Sequence, residues 1–209
     1  MRCYLILLAL FLFSCEQQQW VPLVATENPE QDWVQYGGEA PYVFEGNRIL
    51  GTCVANTPNS FLATKKEYAN FELEYEVLVA DNINSGVQIR SHTKPDYLNG
   101  IVHGYQIEVD PSPRAWSGGI YEEGKRGWLA PLKDNSEAQK AFKHNAWNHF
   151  KVLAEKATIS TWINGVKAAS IVDTMEASGF IALQVHSIGD STQIGQQVQW
   201  RNLKIKELD

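Results

Sequence analysis

The chain has 209 residues, a formal net charge of −6 and 44% hydrophobic residues. That length suits one large domain, and 11% aromatic residues against 20% charged ones allow a real apolar core. No basic stripe runs through it, which argues against nucleic acid as a partner.

Met1-Arg2 is followed by an unbroken apolar run from Tyr4 to Phe13, then by Ser14-Cys15. A charged start, an apolar stretch and a small residue at the cut read as a secretory signal over residues 1–14. The run is too short to span a bilayer, which takes about 20 apolar residues. Leu12-Phe13-Ser14-Cys15 resembles the bacterial lipobox. That implies a lipid on Cys15 and a cell-envelope address, periplasmic or outer-membrane, with the membrane reached through that lipid alone. Residues 15–31 are polar with two prolines and read as a flexible tether. With Cys3 lost and Cys15 acylated, Cys53 is the single thiol of the domain at 32–209. It excludes an internal disulfide and a cysteine metal site, and reads as a small buried hydrophobe.

From Trp33 onward the pattern is short strands between turns. Phe71 to Val77 alternates strictly, with Glu72, Glu74 and Glu76 outward. Gly86–Ser91 puts Val87 and Ile89 inward, Gln88 and Arg90 outward. Gly104–Asp110 puts Tyr105, Ile107 and Val109 inward, Gln106, Glu108 and Asp110 outward. Asp134 to Lys143 holds good helix formers behind candidate N-caps and predicts one short helix in a loop. Asn164-Gly165 between two apolar runs predicts a type I′ hairpin. Phe180–Ser187 puts Ile181, Leu183 and Val185 inward, Gln184 and His186 outward. Many antiparallel strands with regular turns predict an all-β sandwich or jelly roll of two sheets.

The outward positions of three of these segments are unusual. Gln88, Arg90, Gln106, Glu108, Asp110, Gln184 and His186 are side chains that make several directed hydrogen bonds, as sugar hydroxyls require. If their strands are neighbours, the rows converge on a patch one or two sugar units wide. The alternative is a solvated face with pairs such as Arg90–Glu108, each contributing about 0–1 kcal/mol. Glu108 and Asp110 have a spacing that permits an inverting glycosidase pair. They would, however, approach the sugar from one side, and the third acid of a laminarinase-like Glu-x-Asp-x-x-Glu strand is missing at Pro111-Ser112-Pro113. Asp110 before Pro111 also suits the end of a strand.

Nine strings then match a known family in order. They are Asn70-Phe71-Glu72-Leu73, Asn84 to Arg90, Gly104 to Asp110, Gly118-Gly119-Ile120-Tyr121-Glu122, Arg126-Gly127-Trp128-Leu129, Trp147-Asn148, Trp162-Ile163-Asn164-Gly165, Ile181 to His186 and Arg201 to Lys206. Together they resemble the 3-keto-disaccharide hydrolase family from about Asp32 to the C-terminus. The resemblance implies a concanavalin-like jelly roll, export, and action on glycosides already oxidised at C3. Val102-His103 and the long 134–143 segment depart from the family pattern.

A C3 ketone acidifies the C2 proton, so a base can remove it, the C1 substituent can leave, and water can add back. For that route His186 or Glu108 is the candidate base, Arg90 the enolate stabiliser and Tyr121 the acid. Gln88, Gln106, Gln184, Asp110, Arg126 and Trp128 are candidate substrate contacts, Trp128 being equally suited to anchoring its loop. Glu108 and His186 together could hold one divalent metal ion that polarises the ketone. His92 and His103 fall in loop-like stretches at the rim, while His144 and His149 read as structural. The competing expectation is a noncatalytic carbohydrate-binding lipoprotein using the same face. Replacing Cys15 by Ser is expected to shift the expressed protein from the membrane pellet to the soluble fraction. Retention in the pellet would rule out the lipid as its anchor.

Overall fold

The computed structural model describes residues 18–25 and 27–209. The predicted signal and Cys15 lie outside the described residues. The strands in chain order are β1 (Val21–Pro22), β2 (Trp33–Gly37), β3 (Tyr42–Glu45), β4 (Arg48–Thr52) and β5 (Ser60–Tyr68). They continue with β6 (Phe71–Val79), β7 (Ser85–Thr93), β8 (Val102–Val109), β9 (Ile120–Glu123) and β10 (Gly127–Ala130). After a single helical turn and a half, α1 (Ser136–Ala141), come β11 (Asn148–Glu155), β12 (Thr158–Ile163), β13 (Val166–Val172), β14 (Gly179–Val185) and β15 (Gln197–Glu207).

Two antiparallel sheets result. The first runs β13-β12-β11-β6-β15-β4-β3, with β1 added against β15. The second runs β10-β9-β8-β7-β14-β5-β2. The apolar sets of the two sheets face each other. Phe71, Leu73, Tyr75 and Val77 of β6 meet Val87, Ile89, Tyr105, Ile107, Ile181 and Leu183 in one core. Each fully buried side chain of this size contributes about 1.5–3 kcal/mol. On the far side of β6, Glu72 pairs with Lys151 and Lys206, and Glu74 with Lys204. The predicted hairpin forms between β12 and β13, with Asn164 and Gly165 both at positive φ. Asn135 caps α1 by accepting from the Ala138 amide. Cys53 is buried in the core.

Three expectations need correction. The packed domain begins before residue 32. Val21 and Pro22 lie opposite Ile205 and Lys204, and Leu23 and Val24 are buried. The apolar run Val21-Pro22-Leu23-Val24 gains more by docking on β15 than a tether would by staying solvated. His92 and His103 sit opposite each other on β7 and β8, not in loops. The third correction concerns Arg90, and its cause is a β-bulge.

Ile89 lies opposite Tyr105 and His92 opposite His103, so Arg90 and Ser91 together face Gly104 alone. Arg90 takes φ 45. A bulge adds one residue and shifts the side-chain alternation beyond it. Ser91 therefore joins the outer face with Gln88, and Arg90 turns away from it. Gly104 is required opposite: a Cβ there would stand 2.4 Å from the Ser91 hydroxyl. The Arg90 guanidinium is wholly buried. It donates to Ala69 O and Lys156 O, each at 2.7 Å, and to Asn70 Oδ1 at 3.4 Å. It thus ties the β5–β6 turn to the β11–β12 turn across the two sheets.

Arg90→Met is expected to lower stability by about 2–4 kcal/mol, because it leaves two turn carbonyls unpaired. Urea unfolding checks this. A loss of ligand binding with an unchanged midpoint would overturn the structural assignment.

Candidate active site

In-register neighbours share a face, so the second sheet's outer face can be read row by row. One row is Phe61, Gln184, Gly86, Glu108. The next is Val34, Ala63, Ala182, Gln88, Gln106, Tyr121, Trp128. The β5 and β2 end is apolar, with Phe61, Ala63, Phe180 and Ala182 clustered. The β7 to β10 end is polar. Asn59, just before β5, donates to Glu123 on β9 at 3.3 Å. In a flat sheet four strand steps of about 4.8 Å would keep those strands about 19 Å apart. The sheet therefore curls over this face and makes a hollow.

A cleft of about 310 Å³ occupies the hollow, lined by Gln106, Glu108, Tyr121, Trp128 and His186 together with Asn59, Asn84, Arg114 and Glu123. A second hollow of about 270 Å³ adjoins it, sharing Asn84 and His186 and adding Asp110. Of the residues singled out in the sequence, Gln106, Glu108, Tyr121, Trp128 and His186 come together. Gln88 and Gln184 share their face but are fully buried beneath it. Arg126 does not join them. It pairs with Glu122 and Asp173, on the opposite face of β9, where the Tyr105 hydroxyl also binds Asp173. Alternation explains this: Tyr121 and Glu123 point into the cleft, so Glu122 and its partner cannot.

Glu108 is the best-fixed group in the site. It is 4% exposed, and each carboxylate oxygen accepts an amide hydrogen. Asn84 Nδ2 donates to Oε1 at 2.7 Å and Gln106 Nε2 to Oε2 at 3.0 Å. Behind Gln106, Gln88 Nε2 donates to Gln106 Oε1 at 2.7 Å, and Ser91 Oγ donates to Gln88 Oε1 at 2.7 Å. Gly86 makes room for this: a Cβ there would lie 2.5 Å from the Gln106 side chain. Burial pushes the Glu108 carboxyl above its ordinary value. The Asn84 and Gln106 bonds oppose that, the Asp110 charge adds to it, and Arg114 opposes it.

Around Glu108 stand groups that can move or stabilise charge. Arg114 Nη2 lies 3.9 Å from Glu108 Oε1, while its Nε binds Asp110 at 2.7 Å. Its guanidinium sits over Trp116 and Trp128, 4.8 and 5.1 Å from the ring centres. Trp128 in turn packs edge-on against Tyr121. These rings form an aromatic wall on the cleft. Glu123 is also held above the usual carboxylate range by burial, opposed by the Asn59 bond and the nearby His186. Burial raises the Tyr121 hydroxyl, and the Glu123 and Glu108 charges add to this. His186 Nδ1 lies 2.6 Å from Ser187 O and donates to it, which leaves Nε2 as the acceptor in the neutral ring.

Arg114, Asn59 and Asn84 come from loops, and no periodicity marks them. Glu123 was legible, two residues after Tyr121 on a short strand. Glu108 and His186 both line the cleft, and each Glu108 oxygen accepts one amide hydrogen. Among the described residues no three His, Cys, Asp or Glu side chains converge.

The model of the 3-keto-alpha-glucoside-1,2-lyase-like domain matches residues 18–206. The chain belongs to that family. No curated protein matches it in sequence. Among solved structures it is similar to a proposed glycosyl hydrolase from Parabacteroides distasonis, at 22% identity and TM-score 0.63, over 91% of this chain and 100% of that one. It also resembles the carbohydrate binding module CBM66 from Bacillus subtilis, at 15% identity and TM-score 0.60, over 84% and 96% of the chains. A Bacillus subtilis protein with a galectin-like fold aligns at 12% identity and TM-score 0.63, over 90% and 94%. At these identities the likeness establishes the shared jelly-roll fold.

The raised Glu108 carboxyl has a thermodynamic consequence. Between its unfolded and folded pKa the native state holds a proton that the unfolded state has lost. This group's contribution is therefore highest at low pH and falls as pH rises through that window. Glu108→Gln is neutral and isosteric, so it is expected to be more stable than the parent above the window, with the difference closing below about pH 4. Urea midpoints across a pH series test this. A difference that does not vary with pH would exclude the carboxylate as its source.

Proposed function

We propose that the cleft binds a glycoside carrying a ketone at C3 and breaks its C1–O bond by elimination, water then adding to complete a net hydrolysis. What carries the reading is the convergence of a buried Glu108, its carboxyl pushed up by burial, with Tyr121, Arg114 and His186 in one polar hollow. The family description, a 1,2-lyase-like domain for keto-glucosides, supports it.

His186 Nε2 takes the C2 proton, and its electron pair moves toward the C3 oxygen. Arg114, in the role the sequence suggested for Arg90, and the Tyr121 hydroxyl stabilise the enolate there. As the enolate collapses the C1–O bond breaks, and the departing oxygen takes a proton from the carboxyl of Glu108, acting as general acid. Water then adds at C1, returning one proton to Glu108 while C2 regains one from His186. The sugar ring packs on Trp128, and the adjoining hollow beside Asp110 takes the leaving group. The amino-terminal sequence supports an envelope location with Cys15 lipidated, which suits a scavenging role on exported sugars.

A noncatalytic carbohydrate-binding role is the second reading. The aromatic wall and the fold shared with CBM66 favour it. Incubation with a 3-keto-α-glucoside, followed by product mass, separates the two. The expected result is release of the alcohol, unaffected by chelator, with deuterium entering C2 in heavy water. Glu108→Gln and His186→Ala are expected to lower kcat by about 10²–10⁴. Sugar binding without turnover under all conditions would establish the second reading instead.

A further inference from the structure

Glu108 has to give up a proton and regain one in each cycle, yet it is buried. A buried carboxylate needs donors, and a buried carboxylic acid needs an acceptor for its own hydrogen. Fixed amide donors would serve the first state and oppose the second. The chain behind Glu108 resolves this conflict.

In the arrangement observed, every hydrogen points toward the carboxylate: Ser91 to Gln88, Gln88 to Gln106, Gln106 to Glu108. Each of these three donors also belongs to a group that can accept. An amide turned by 180° exchanges its oxygen and nitrogen with almost no change in shape. Ser91 Oγ has a second acceptor within reach, Ile89 O at 3.0 Å.

We propose that Ser91, Gln88 and Gln106 form a reversible relay whose direction follows the protonation of Glu108. When Glu108 carries its proton, its hydroxyl donates to Gln106 Oε1. Gln106 then donates to Gln88, Gln88 to Ser91 Oγ, and the Ser91 hydroxyl turns to Ile89 O. No proton passes along the chain. Two amides and one hydroxyl reorient, and every group in the line keeps a partner in both states. An unpaired buried donor or acceptor is costly, so a line that could not reverse would bias Glu108 toward one state. Ser91 and Gln88 are positioning residues in this account. They touch neither the cleft nor the substrate.

Other charges face Glu108 as well. Asp110 lies on its own strand's end, Arg114 in the following loop, Tyr121 and Glu123 on β9, and His186 after β14. Asp110 raises the Glu108 carboxyl and Arg114 lowers it, while burial remains the largest influence. These charges do not contact Gln88, whose hydrogen-bond partners are Gln106 and Ser91. Gln88 is therefore the reporter.

The test is a pH titration by NMR of the isotope-labelled full chain, following the Glu108 carboxyl carbon and the side-chain amides of Gln106 and Gln88. Both amides are expected to shift with the same midpoint as Glu108. In Glu108→Gln those transitions are expected to vanish. A Gln88 amide that stays constant while Glu108 titrates would overturn the relay. So would a Gln88 transition that survives in Glu108→Gln. The catalytic meaning of the relay rests on the proposed function, but this readout needs no substrate. Inactivity on keto-glycosides with both amides reversing would sink the catalytic reading alone. Turnover with a constant Gln88 amide would sink the relay alone.

Discussion

A carboxyl group has been taken out of water at Glu108 and is held by hydrogen bonds to neutral amides, with its one nearby guanidinium 3.9 Å off and engaged elsewhere. This constraint organises the site. Neutral donors offset part of the desolvation cost without fixing the group as an ion, so it keeps a raised pKa in a cleft open to ligand. A close ion pair would have done the opposite. Arg114 is kept back by Asp110 and by two indole faces, which leaves its charge directed toward whatever enters the cleft.

The sandwich serves that arrangement in three ways. The core fills the space between the sheets and holds β7, β8 and β14 side by side, so their outer rows form one surface. Small residues shape the surface: Gly86 lets Gln106 lie flat, and Gly104 receives Ser91. Curling brings loops from distant strands over the face, and Asn59 meets Glu123 across it. Arg90, buried at the bulge, fastens turns of both sheets together. The residue that looked most like an oxyanion clamp is therefore a clamp on the fold.

Much of the chemistry was visible as a pattern before any coordinates. Period-two alternation selected Gln106, Glu108 and His186, the family strings supplied Tyr121, and these do share a cleft. The same rule failed at Arg90, because one inserted residue reverses the facing of all that follow it, and nothing in Gln88-Ile89-Arg90-Ser91-His92 announces an insertion. The expectation at Arg126 rests on the family string, not on alternation. A residue in a tight turn has no fixed parity, and Arg126 follows its ion pairs to Glu122 and Asp173. Trp33 and Trp200 go to the core, while Trp128 lines the cleft with Trp116 packed edge-on behind it.

The all-β class, the inward sets of the main strands and the polar character of one sheet face were legible in the residues alone. These are local properties, set by alternation, turn residues and composition, and each is readable within about ten residues. Packing over the whole chain set which rows became neighbours, where the bulge fell, and which loop residues closed over the hollow. Those depend on strand order and sheet curvature. Both arise from packing between segments as far apart as Asn59 and Glu123, and no local pattern carries that information.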